Sequence, residues 1–213
     1  MGVNTNQAKV LMTEISVKGT ETSPDRIELT VLSDGTTGSL TVSDGILGEA
    51  GFTYTLPDFR VRKGDMVILH MSAPHKGEDV IRIGNRRIFN LDAPEKMSFL
   101  STNGAVLLFS HTNGKGKLID AFLYTKSDAV DSDGWGNEKT RKSYESLKTR
   151  GEWSGSGFTS DGTTSTRVFA RYYPYEDTNT AGDWYLTATR GSTFGYLNDN
   201  NEYKAPEEDE EKE

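Results

Sequence analysis

The chain has 213 residues, no Cys and a formal charge of −8 at pH 7. That length suits one domain able to bury about 70% of its unfolded surface without covalent staples. The lack of Cys excludes disulfides, thiolate metal sites and a thiol nucleophile. Residues 207–213 carry six acids and one Lys, so most of the net charge belongs to a tail. Such a tail is expected to be disordered. The near-neutral remainder argues against nucleic acid as a partner. No apolar run reaches the ~18 residues of a membrane span, and residues 1–9 lack a signal-peptide core.

In chain order, residues 1–8 read as a disordered lead-in, and the first strand is expected at 9–17 (KVLMTEISV). Alternation there puts Leu11, Ile15 and Val17 on one face and Glu14 on the other. In 26–32 (RIELTVL) it puts Ile27, Leu29 and Val31 inside and Glu28 outside. The continuous apolar run GDMVILHM at 64–71 predicts a central strand buried on both faces. VIRIGNRRIF at 80–89 predicts two short strands around Gly84-Asn85, a two-residue hairpin with Gly first. AVLLFSH and KLIDAFLY flank a longer loop at 112–116. The final strands are expected at 166–173 and 183–189. About ten short strands at even spacing predict an all-β sandwich or barrel. The exception is 137–150 (NEKTRKSYESLKTR), which reads as a short polar surface helix with Glu138 and Lys142 paired at i,i+4. Residues 199–213 read as a disordered acidic tail.

Few residues suggest chemistry. Glu14 and Glu28 form a carboxylate pair in principle, yet two solvent-facing strand residues are the simpler reading. DAVDSDGWGNE at 128–138 resembles half a calcium loop: Asp131 and Asp133 fit, but Ala129 and Thr140 occupy the positions of essential carboxylates. His70, His75 and His111 show no metal-ligand spacing, and there is no nucleophile elbow. No catalytic, cofactor or metal site is expected. Aromatics remain. RYYPYED sets Arg171 beside Tyr172, Tyr173 and Tyr175, while Trp135 and Trp153 fall in polar segments. Exposed Tyr, Trp and Arg are typical of binding surfaces. Tyr175, just past Pro174, is the expected exposed tip.

Five pieces in order, MTEI, IEL, TLPDFRVRKGDMVIL, IDAFLY and a closing R…DTN…DW, resemble the lamin tail domain. The resemblance spans residues 9–198 and implies an immunoglobulin-like β-sandwich with insertions near 80–89 and 128–150. It gives Glu14, Glu28, Asp120, Arg167, Asp177, Asn179, Asp183 and Trp184 structural roles. GSTFG replaces the family's usual final turn. By implication the chain is a non-enzymatic interaction or scaffold module of a bacterial cell-envelope or secreted protein, meeting a protein partner through loops. A carbohydrate-binding module and an accessory domain to a separate secreted hydrolase are the alternatives. Membrane association is expected only through a lipid anchor on a leader missing from this sequence.

Overall fold

A computed structural model describes residues 6–20, 24–46, 48–71, 73–94, 100–110 and 116–205. His111 and residues 112–115 of the expected loop lie outside them, as do residues 206–213 of the tail. Strands are numbered in chain order. One sheet contains β1 (Val10–Ile15), β2 (Arg26–Val31), β7 (Met66–His70), β8 (Val80–Ile83), β9 (Arg86–Asp92), β13 (Phe169–Arg171) and β14 (Trp184–Leu186). Its order is β14-β13-β1-β2-β7-β9-β8. The second sheet contains β4 (Thr41–Ser43), β5 (Thr53–Thr55), β10 (Gly104–Phe109), β11 (Leu118–Thr125) and β12 (Phe158–Thr159), ordered β12-β11-β10-β4-β5. A ribbon of β3 (Gly35–Thr36) and β6 (Arg60–Val61) completes an all-β, immunoglobulin-like sandwich.

The core follows from alternation. Met12, Ile15, Ile27, Leu29, Val67 and Leu69 of the larger sheet join one cluster with Val106, Leu108 and Phe122 of the smaller. Each such side chain contributes about 1.5–3 kcal/mol on burial. Phe122 stands 4.2 Å from Trp184 and 4.9 Å from Phe169, ring centre to ring centre. β7 is buried from Met66 to Leu69 and lies between β2 and β9, as its unbroken apolar run predicts. Ile83 pairs with Arg86 across Gly84-Asn85, confirming the two-residue hairpin; Gly84 supplies the positive φ that the turn needs.

One face departs from simple alternation. Met12 opposes Leu29, but Glu14 opposes Glu28, which makes Thr13 an extra residue in a β-bulge. The bulge resets the alternation. Val10 and Met12 therefore join Ile15 and Val17 in the core, while Leu11 turns to the other face, opposite Thr30. That second face is not solvated. Residues 191–203 run back across it, with Phe194 packed on Met66, Ile68 and Ile88, and then return to the β14 edge, where Tyr203 N donates to Leu186 O. The domain is therefore longer than expected at both ends: Ala8 N already bonds Thr36 O, and Glu202 bridges to Thr187.

The helix runs Glu138–Thr149, its first turn capped by Asn137, whose side chain accepts from Thr140 N at 2.9 Å. Arg141 takes the expected place of Lys142, pairing with Glu138 and Glu145, while Lys142 reaches Glu49 at 2.9 Å. The helix is less peripheral than its composition predicts. Leu147 is buried and, with Leu107, Phe109 and Leu118, lines a small space over the outer face of the second sheet. Among the described residues, no helix is long and apolar enough to cross a membrane.

Candidate binding cleft

Most of the expected aromatic surface is interior. Trp135 and Trp153 are 8% and 2% exposed, because the helix and the loops beside it fold back onto the second sheet; Trp135 stacks on Tyr144 at 4.3 Å. Tyr175, the expected tip, is 7% exposed. Its backbone has positive φ, and its hydroxyl accepts from Asn198 N at 3.1 Å beneath the C-terminal segment. Tyr172 is half-buried against Tyr185 and donates to Glu202 at 2.6 Å. Of the proposed group only Tyr173 is substantially exposed.

Arg171, expected at the surface, is fully buried. Its Nη2 donates to Asp120 at 2.6 Å, its Nε to Met12 O at 2.9 Å and its Nη1 to Glu176 O at 3.0 Å. Asp177 and Asp183 lie 3.4 and 3.6 Å from Nη1, and the guanidinium sits 4.7 Å from the Trp184 ring centre. Burial pushes the Asp120 carboxyl up to about 6, against the pull of Arg171. The expected closing motif is therefore a scaffold node. The closing role expected of Arg167 is taken by Arg171; Arg167 instead bonds Gly162 O in a loop and stacks on Tyr203. Asn179 adopts positive φ at the turn; Asp183 accepts from Thr178 N and also from Thr180 N, the latter completing a capping box with Thr180.

Glu14 and Glu28, expected to face solvent, are also fully buried. Glu14 accepts from Thr193 N at 2.8 Å and from the Thr193 hydroxyl at 2.9 Å. Glu28 accepts from Gly195 N at 2.6 Å and from the Thr13 hydroxyl at 2.7 Å. Burial, and then the charge of Glu28, push the Glu14 carboxyl up to about 8; burial pushes Glu28 up to about 7. These carboxyls are enclosed.

His70 bonds Asn90 at 2.9 Å, and His75 bonds Asp92 at 3.0 Å. Among the described residues, no cluster of His, Asp and Glu is placed to hold a metal ion. Asp131 and Asp133 belong to a short helical turn in which Ser132 and Asp133 have positive φ.

The surface that remains distinctive is cationic. A cleft of about 740 Å³ opens between the start of β1, the β3–β6 ribbon and the start of β9, lined by Lys9, Arg60, Arg62 and Arg87 with Ser33 and Asp34. Arg60 opens β6 and Arg62 directly follows its end, and both line the cleft. Lys9, Arg60, Arg62 and the adjoining Lys63 are exposed. Among the described residues they form no ion pair. Arg87 is different: its Nε donates to Asp65 at 3.0 Å. Burial raises the Asp65 carboxyl, but Arg87 and the amides of Arg62 and Arg87 outweigh it and hold the group below its ordinary range. Asp65 thereby fixes the floor of the cleft and leaves the other cations free. The sequence signals were present in FRVRKGD and GNRRIF, where basic residues flank two turns.

No curated protein matches the chain. A family model described as "protein second domain" matches residues 8–82 and 85–186, ending at the last residue of β14, so the segment crossing the outer face lies beyond the match. That description carries no activity, substrate or partner. With most of its length matched, the chain belongs to this "protein second domain" family.

Proposed function

We propose that the chain is a non-enzymatic interaction module, a lamin-tail-like sandwich that docks an extended acidic segment of a protein partner in the Lys9–Arg60–Arg62 cleft. The observation that carries this reading is the concentration of unpaired cations at one end of an otherwise acidic chain. Loops and ribbons on a rigid sandwich are where such a site belongs. Clustered cations attract an acidic ligand at long range and fix its register. The carboxyls and aromatics that hint at catalysis or glycan binding are instead engaged in holding the fold. The lamin-tail likeness supports a bacterial cell-envelope or secreted setting for the module.

A fluorescent peptide of twelve alternating Glu and Ser residues tests the proposal by anisotropy. Each exposed ion pair contributes only about 0.2–1 kcal/mol, so several cations must act together. Binding is expected to weaken at least tenfold in the Arg60→Ala/Arg62→Ala variant and to fall steeply with salt. Absence of binding to the wild type, or equal binding to the variant, contradicts the proposal.

A further inference from the structure

Glu14 and Glu28 face each other directly across an antiparallel pair, on the face away from the core. Opposed residues in such a pair hold their Cβ atoms about 4.5–5.5 Å apart, and neither carboxyl reaches water. Their lid is residues 190–200. Thr193 and Gly195 aim backbone N–H groups at the two carboxyls, and Asn198 Nδ2 ties the same segment to Thr13 O and Arg171 O at 2.9 and 2.7 Å. Gly195 is needed for the approach: its φ is +87°, and a Cβ there would stand 3.1 Å from Ile88 Cδ1.

The surrounding charges do not neutralise the pair at contact range. Arg26, next to Glu28 on β2, stacks its guanidinium on Phe194 at 3.9 Å, and its Nε has no hydrogen-bond partner. His70 of β7 lies opposite Arg26. Arg86 of β9 donates to Gly64 O and Gly195 O. Tyr175 and Tyr185 complete the ionisable groups near the pair and donate no proton to it; each hydroxyl accepts from the segment, at Asn198 N and Asn200 N. Among the described residues, no cation lies within ion-pair distance of either glutamate. Two buried like charges at this spacing cannot both persist.

We propose that residues 190–200 are a proton-gated strap, closed over the Glu14–Glu28 pair while the two carboxyls retain a proton and released when that proton leaves. The direction follows from linkage. Carboxyls whose closed-state affinity for protons exceeds their exposed value of about 4.5 favour the closed strap at low pH and lose that advantage as pH rises toward 7 to 8. The two titrate as a pair rather than singly. Release uncovers Met66, Ile68 and Ile88, the apolar group that Phe194 covers.

Amide hydrogen exchange on the full chain, corrected for the intrinsic rate at each pH, tests the gate. Between pH 5.5 and 7.5, protection at Thr193 and Gly195 is expected to fall about tenfold per pH unit for each proton released, while Val67 and Leu69 in the central strand keep theirs. In Glu28→Gln the pH dependence at Thr193 is expected to weaken markedly without disappearing, because burial still raises Glu14. Should that variant fail to fold, Glu14→Gln and the carboxyl ¹³C shifts of the wild type read the same proton. Constant protection at Thr193 and Gly195 across this range overturns the proposal. So do equal pH slopes in wild type and variant, or carboxyl shifts that show both groups ionised at pH 5.5.

Discussion

The molecule buries acid in two ways. Between the sheets, Asp120 meets the guanidinium of Arg171, and the pair is bound into Met12 and Glu176 of the backbone. On the outer face, Glu14 and Glu28 meet each other and are covered by backbone amides of a segment almost 180 residues away in sequence, Thr193 bonding Glu14 at a separation of 179. The first arrangement uses a counter-ion and the second a proton. A buried ion pair is seldom a net source of stability, yet removing one partner leaves an uncompensated charge. A carboxyl pair escapes that fate by protonation, and so its stability becomes a function of pH. The ion pair belongs to the permanent frame; the carboxyl pair is covered by a segment that is able to leave.

The largest expected effect breaks the permanent side. Asp120→Ala removes the shortest carboxylate contact of the buried Arg171, leaving only Asp177 and Asp183 at 3.4 and 3.6 Å, and orphans Met12 N; it should destabilise by about 3–5 kcal/mol, measured by urea unfolding. Close behind, Trp184→Ala empties an aromatic site against Phe122 and Arg171, with a cost of about 3–5 kcal/mol. Retention of wild-type stability by either variant would show that the node is not what holds the sheets together. A smaller change sharpens the strap. Gly195→Ala, at positive φ and tight against Ile88, should cost about 1–2 kcal/mol, with exchange rising at Thr193 before it rises in β7. Smallest is Tyr172→Phe, which removes the hydrogen bond to Glu202; a loss of about 0.5–1.5 kcal/mol is expected, confined to the β14 edge in an exchange map.

Local features were legible in the sequence. The apolar run of β7, the Gly84-Asn85 hairpin and the helix within 137–150 each follow from neighbours within a few residues, and the structure matches them. What failed was inference about which faces a distant segment returns to cover. A single bulge at Thr13 redirects Leu11, and strand alternation carries no mark of it. Glu14 and Glu28 read as solvent-facing because alternation distinguishes the two faces of a sheet but cannot show that residues 191–203 return to cover one of them. Trp135, Trp153 and Tyr175 were misplaced for the same reason: composition marks a loop as polar, whereas packing decides where its aromatic rings go. Arg171 sits next to tyrosines in sequence, but its partners Met12 and Asp120 are far along the chain. The cationic cleft was written in FRVRKGD and GNRRIF, two segments whose meeting depends on the sheet order.

Unfolding by urea at pH 5.5 and at pH 8.5, for the wild type and for Glu28→Gln, tests the contrast between the two buried acids most directly. Carboxyls raised in the folded state stabilise it fully below their unfolded value of about 4.5, and that stability is lost as pH rises through about 7 and 8. The account predicts that the wild type loses about 1.4 kcal/mol per pH unit for each proton held and that Glu28→Gln loses markedly less. A wild type equally stable or more stable at pH 8.5, or a variant with the same decline, would contradict it.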